Sequence, residues 1–349
     1  FLRMDFPCWD PVLLDIPGLP IDVRWYGLMY VVGFVIGQSI LVRLARARFW
    51  PVTEQQASDL VVYLVLGVML GGRLGFALFY DPDFELIRPW NFVKVWKGGL
   101  SFHGGLAGVC LAMLLYSRKL KVPWTKVADA CALAGTPGIL AVRIANFING
   151  ELYGRVTEKG VGWAMQFPTD PKASSLLQIS DAWTMRDREL CIQYAFRRSS
   201  WDDIAGKLSE ADAGGTPIDW DRVRPYLDWE SVRSQVPYRH PSQLYEGIGE
   251  GLVLGLVLLG LYWLTRRHPL RRGWYAALFL LGYAAVRFSL EFVRQPDSQF
   301  GPGGTVLLGL TMGQTLSTAM VVGGGLLLLL SKTRDSALPA SETGTAPRP

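Results

Sequence analysis

The chain has 349 residues and carries 35 Lys and Arg against 30 Asp and Glu, a formal charge of +5. Half of it is hydrophobic and its mean hydropathy is +0.21. That composition excludes a disordered chain and is unusual for a soluble globular one.

The apolar residues gather into seven runs: Trp25–Val42, Leu60–Tyr80, Leu100–Tyr116, Val127–Val142, Ile248–Leu264, Trp274–Leu290 and Val306–Leu330. Several lie near the lower limit of about 17 residues needed to cross a hydrocarbon core of about 30 Å. Together they predict an all-α polytopic membrane protein with seven transmembrane helices.

Basic residues follow the first span (Arg43, Arg46, Arg48), the third (Arg118, Lys119, Lys121, Lys126), the fifth (Arg266, Arg267, Arg271, Arg272) and the seventh (Lys332, Arg334). The N-terminal segment has Arg3 and Arg24 against Asp5, Asp10, Asp15 and Asp22. The positive-inside rule puts the N-terminus outside and the C-terminus inside. The positive charge thus marks topology and anionic lipid rather than nucleic acid. An acidic lead-in is unlike a cleaved signal peptide. Cys8, Cys110, Cys131 and Cys191 have neither metal-ligand nor redox spacing.

Four parts follow: an N-terminal membrane part with an arm on the outer side (1–154), a small extracytoplasmic head (155–241), a C-terminal membrane part (242–331) and a disordered cytoplasmic tail (332–349).

The first span opens with Arg24-Trp25-Tyr26-Gly27. Interfacial anchoring explains Trp25; Tyr26 either anchors as well or points its hydroxyl into a site. The second span holds Gly67, Gly71 and Gly75, spaced for close helix contact, and Arg73, which needs an anionic or water partner. Asp81-Pro82-Asp83 ends that helix on the outer side. His103, followed by Gly104-Gly105, opens the third span.

Arg143-Ile-Ala-Asn146-Phe-Ile-Asn149-Gly-Glu151-Leu-Tyr-Gly154-Arg155 begins where the fourth run ends and concentrates polar groups at a membrane boundary. Such groups line cavities, pair with one another or meet charged ligands. In the head, Val161–Phe167 alternates like a strand, Ser200–Ala211 has helical spacing stopped by Gly214-Gly215, and Asp219–Val232 reads as a second amphipathic helix. Its Asp, Ser and Gly content equally suits partial disorder. Arg239-His240-Pro-Ser-Gln-Leu-Tyr-Glu246 enters the fifth span, which repeats the small-residue spacing at Gly247, Gly251 and Gly255. In the sixth, Tyr283, Arg287 and Glu291 are four apart on one face, either an internal ion pair or a polar cavity wall.

There is no P-loop, HExxH pair, GxSxG elbow or Cys/His cluster, so metal-free chemistry without a cofactor is expected, with a phospholipid headgroup as the natural ligand. At this point Phe102-His103-Gly-Gly-Leu, Arg143-x-x-Asn146-Phe-x-Asn149-x-Glu151-x-x-Gly154, His240-Pro-Ser-Gln-Leu-Tyr-Glu246 and Tyr283-x-x-x-Arg287-x-x-x-Glu291-x-x-Arg294-Gln-Pro-Asp297 closely resemble prolipoprotein diacylglyceryl transferases. Trp25-Tyr26-Gly27-Leu28-Met29-Tyr30 is similar to that family's first helix.

The resemblance implies a multi-pass enzyme of the bacterial cytoplasmic (inner) membrane. Its partners would be phosphatidylglycerol, prolipoprotein signal peptides with a lipobox cysteine, and membrane lipids. It further implies a catalytic set of His103, Arg143, Tyr283 and Arg287. Tyr26, Arg73, Asn146, Glu151, Gly154, Glu246 and Glu291 would form the substrate-binding set, Glu246 and Glu291 by holding arginines. His103 acts either as base or as a positioning group. Segment 172–236 looks longer than that family's usual head.

The alternative is a lipid or organic-anion transporter, which would also use glycine-rich helices and buried Arg, Glu and Tyr. Against it, the polar groups cluster toward one face and neither half repeats the other. An intramembrane protease lacks its Ser/His or paired Asp, and a scaffold leaves the ionisable residues unexplained.

Overall fold

A computed structural model describes residues 5–14, 23–79, 101–196, 199–295, 305–307 and 309–331. Asp81-Pro82-Asp83, Pro296-Asp297 and the tail 332–349 lie outside the described residues.

The chain is mostly helical. The long helices are α1 (Trp25–Arg46), α2 (Glu54–Phe79), α3 (Phe102–Leu120) and α4 (Trp124–Ile148). The head contributes α5 (Pro171–Leu176), α6 (Met185–Ala195), α7 (Trp201–Ala205), α8 (Trp220–Val223) and α9 (Trp229–Val232). Beyond it run α10 (Ser242–Thr265), α11 (Trp274–Leu290) and α12 (Met312–Leu330). Five of these (α1, α2, α4, α10 and α12) are long and apolar enough to cross a membrane, and α11 is a shorter apolar helix of 17 residues. Leu66, Leu70, Leu256, Val322 and Leu329 are exposed along them, as lipid-facing side chains are.

The helices outrun the apolar runs that predict them. α4 continues to Ile148, so Arg143 and Asn146 are helical residues and do not follow the helix end. α10 starts at Ser242, ahead of the predicted Ile248.

The chain divides into two compact units: Phe1–Gly33, Gly138–Val253 and Ala284–Thr318 in the first, Phe34–Pro137, Leu254–Tyr283 and Ala319–Pro349 in the second. In the second, α2 and α3 pack backbone to backbone. A Cβ on Gly71 would overlap the Gly104 carbonyl, and one on Gly75 would lie 2.7 Å from Gly104 Cα. Small-xxx-small spacing permits that approach where no water drives helices together. Leu41, Trp50, Leu60, Tyr116, Leu133 and Leu258 form this unit's core. Buried Asp129 on α4 accepts the backbone N–H groups of Gly273 (2.7 Å) and Ala276 (2.9 Å), a cap for α11 supplied from another helix.

The first unit contains the head, which has its own core around Leu177, Leu190, Cys191, Trp201, Ile204 and Trp229. The described residues of this segment are thus folded. Its three predicted elements are shorter than their patterns suggest. Val161–Phe167 is a turn with one bridge, Met165 to Arg239; Trp163 takes a left-handed φ of 65°, which ends strand geometry. The helix predicted from Ser200 has a full capping box but stops at Gly206. Asp219–Val232 breaks at Pro225, which lacks an N–H, and restarts where Asp228 caps Glu230.

Three antiparallel pairs of short strands are described in this unit: β1 (Val12–Leu14) with β2 (Val23–Arg24), β3 (Val156–Thr157) with β4 (Tyr238–Arg239), and β5 (Thr305–Leu307) with β6 (Leu310–Thr311).

Candidate active site

The site begins with how α4 ends. Gly150 adopts φ +65°, its N–H bonds the Phe147 carbonyl (2.9 Å), and the Glu151 N–H bonds the Asn146 carbonyl (3.0 Å). This is a Schellman closure, and glycine is the residue that takes it without strain. It folds Glu151 back over the last turn, where Oε1 accepts from Asn146 Nδ2 (2.9 Å) and Asn149 Nδ2 (3.3 Å). Asn146 is buried, and its Oδ1 has no hydrogen-bond partner among the described residues. An acceptor is thus left over for a hydroxyl-bearing ligand.

One helical turn back is Arg143. A π-turn, Gly247–Val253, interrupts α10 where it crosses this residue, a feature frequent at functional sites. A Cβ on Gly247 would sit 3.1 Å from Arg143 Cβ, and one on Gly251 would sit 2.7 Å from the Leu140 nitrogen. The two backbones therefore meet closely, and Glu246 and Glu250 reach the guanidinium.

Glu246 is fully buried and gathers three arginines. Arg143 Nη2 lies 2.8 Å from Oε2, Arg294 Nη1 donates to Oε1 (3.0 Å) and Oε2 (3.3 Å), and Arg287 Nη1 lies 3.7 Å from Oε1. Glu250 Oε2 is 3.6 Å from Arg143, and Glu291 Oε2 is 2.9 Å from Arg287. Glu291 also accepts the Thr311 hydroxyl (2.8 Å). Thr311 and Gln314 bond each other's N–H reciprocally, as in a capping box, and so start α12 beside this carboxylate.

Three guanidiniums thus face three carboxylates. The carboxylate side chains are at most 5% exposed, while the arginine side chains keep 11–17%. The negative charges hold the cluster from inside, and guanidinium surface remains for an incoming anion. Bidentate, charge-assisted bonding to phosphate is the chemistry this arrangement offers.

The chain matches the family model for prolipoprotein diacylglyceryl transferase over residues 11–330. The chain belongs to the prolipoprotein diacylglyceryl transferase family. A phosphatidylglycerol–prolipoprotein diacylglyceryl transferase of Burkholderia thailandensis is 39% identical over 340 residues, covering 96% of this chain and 99% of that protein. Proteins of the same name from Burkholderia mallei and Burkholderia pseudomallei are 39% identical over 333 residues, covering 94% of this chain and 96% of theirs.

Among the predicted residues of this transferase-family chain, the first unit brings Arg143, Arg287, Glu246 and Glu291 into one cluster and Asn146 onto Glu151. Tyr26 packs against Tyr30 with ring centroids 5.4 Å apart, and Tyr30 interacts electrostatically with Arg143 and Glu151. Gly154 has a structural reason to lack a side chain. Its N–H bonds the His240 carbonyl (2.7 Å), it bridges Arg294, and a Cβ would lie 2.8 Å from His240 Cβ. The close approach it allows is therefore to this chain's own backbone. Arg239 is committed to Asp170 and to the Gly154 carbonyl, which anchors β4. His240 Nδ1 is buried with no hydrogen-bond partner among the described residues, and burial lowers the imidazole pKa.

His103, Arg73 and Tyr283 belong to the second unit. His103 is exposed in the first turn of α3, behind the N-cap Ser101, whose hydroxyl accepts from Gly104 (3.3 Å). Arg73 is buried, its guanidinium 5.7 Å from the Phe76 ring centroid. Tyr283 packs on Phe279 at 5.9 Å. Sequence reading assigned no role to Arg294, Glu250, Tyr30 or Thr311. Four-residue spacing from Glu246 and from Tyr26 was the available signal for Glu250 and Tyr30.

Proposed function

We propose that this chain transfers the diacylglyceryl group of phosphatidylglycerol to the thiol of the lipobox cysteine in prolipoprotein signal peptides, the first step of bacterial lipoprotein maturation. The observation that carries it is the Glu246 cluster, three guanidiniums preset around a buried carboxylate in a chain of this family. The cysteine sulfur attacks the glycerol carbon that bears the phosphate, a C–S bond forms, and the C–O bond to phosphate breaks. The electron pair leaves with glycerol phosphate, and the thiol proton goes to a base and from there to the departing phosphate or to solvent. Arg143, Arg287 and Arg294 stabilise the charge that grows on the phosphate, and they do so without reorganising. Asn146, Glu151 and Tyr26 orient the glycerol hydroxyls.

A cysteine thiol must lose its proton to become a good nucleophile, and we assign His103 as the base that takes it. From the sequence we also assign Arg73 and Tyr283 roles in binding the headgroup. We read seven membrane spans in the bacterial cytoplasmic (inner) membrane, with the N-terminus and head 155–241 outside and the C-terminus inside, from the placement of Lys and Arg.

The test is transfer of radiolabelled diacylglyceryl from phosphatidylglycerol to a lipobox peptide by the purified protein in detergent, with EDTA present. Label on the peptide, lost when its cysteine becomes serine, is expected. A folded, lipid-binding protein that transfers none would overturn the proposal, and lipid flux across liposomes would then test the transporter reading.

A further inference from the structure

The head segment 172–236 holds the N-terminal segment by charge. Arg186 and Glu189 are three residues apart on α6 and so share a face. Glu189 Oε1 accepts from Arg24 Nη1 at 2.7 Å, and Arg186 Nη1 lies 3.5 Å from Asp10 Oδ1. The two pairs grip both strands of the β1–β2 hairpin at its open end, with opposite signs. Asp10 Oδ1 also accepts the Val12 N–H (2.8 Å) where β1 begins, Val12 pairs with Arg24 across the hairpin, and Trp25 N–H bonds the Pro11 carbonyl (3.1 Å). A third pair, Arg233 to Asp5, holds the start of the same segment at 2.5 Å.

β2 ends at Arg24 and α1 starts at Trp25 with no residue between. Whatever fixes Arg24 therefore fixes the first turns of α1, which carry Tyr26 and Tyr30. Isolated surface pairs stabilise little. Here the Glu189 side chain is only 12% exposed and α6 is oriented by its own cap, Thr184 to Asp187. α6 is itself seated in the head core through Leu190 and Cys191.

We propose that Glu189 and Arg24 are positioning residues of the transferase: the head, acting through α6, sets the hairpin and so places the packed Tyr26–Tyr30 pair at the start of α1. This rests on the reading that Tyr26 lines the lipid site. In purified protein, Glu189→Gln and Arg24→Met are expected to raise the KM for phosphatidylglycerol about 3–10-fold with kcat within about twofold. Arg24→Lys, which keeps the charge, should restore most of that affinity. Amide hydrogen exchange over residues 23–31 should be faster in Glu189→Gln than in the parent protein. Wild-type KM together with unchanged exchange there would overturn the inference. If the parent protein itself transfers no lipid, the functional reading fails, and the exchange comparison alone still decides whether the head holds α1.

Discussion

Glu246→Gln tests the cluster most directly, because the substitution keeps the side chain's shape and removes its charge. In the native site Glu246 is fully buried and receives Arg143 at 2.8 Å, Arg294 at 3.0 and 3.3 Å, and Arg287 at 3.7 Å. Removing one partner of a buried ion pair costs about 3–5 kcal/mol, because it strands the other charge. Arg287 keeps Glu291 at 2.9 Å and Arg143 keeps Glu250 at 3.6 Å, so the lower end applies. A glutamine amide also presents N–H groups to guanidinium donors, which the arginines avoid by turning away. A loss of about 3 kcal/mol in transition-state stabilisation corresponds to a fall in kcat of roughly 100-fold. Glu246→Asp keeps the charge but shortens its reach, and should fall between. The assay is single-turnover transfer to a lipobox peptide, with unfolding in detergent followed in parallel. A folded Glu246→Gln enzyme with kcat within about threefold of the parent would refute the claim that this carboxylate organises the arginines.

Other outcomes follow from the same geometry. Arg143→Ala and Arg287→Ala should each lose at least about 2–4 kcal/mol of transition-state stabilisation; a rise in KM alone would mean that they only bind. His103→Gln should abolish transfer, and near-normal rates would remove His103 as the base. Gly71→Leu drives a side chain into the Gly104 backbone, so the α2–α3 pair should loosen by about 1–3 kcal/mol or more, seen as earlier thermal unfolding. For His240 the native pKa lies below the unfolded value, so the unfolded chain binds more protons between the two. Its contribution to stability is complete above about pH 6.5 and is lost as pH falls through the native pKa. As a single substitution, His240→Gln should flatten that acid limb in a pH series of unfolding midpoints.

Much of this protein could be read along the chain, because its strongest signals are local. Runs of apolar residues announce membrane helices since backbone groups in lipid must bond within their own segment. Gly67, Gly71 and Gly75 announce a close helix contact, with Gly104 as the partner that only the structure names, and four polar motifs in order carry the family. Helix ends were less visible. α4 runs past its apolar stretch to Ile148 because polar residues continue a helix well when their side chains face partners inside the protein, as Arg143 and Asn146 do. The head elements shortened because Gly206, Pro225 and the Asp228 cap interrupt helical patterns that hydrophobic spacing alone would extend.

Composition and pattern by themselves determined that the chain is a helical membrane protein, which residues are ionisable where charge is costly, and which family it joins. Only the tertiary structure decided how those charges pair. Nothing in the spacing says that Glu246 would collect Arg143, Arg287 and Arg294, since the four come from three separate stretches of chain. Likewise Asp129 caps a helix that starts 145 residues later, at Trp274, and Gly154 is small for the sake of His240 and Val293. Hydrophobic periodicity is a property of one segment, whereas an ion pair or a tertiary cap depends on which segments meet, and that is decided by packing.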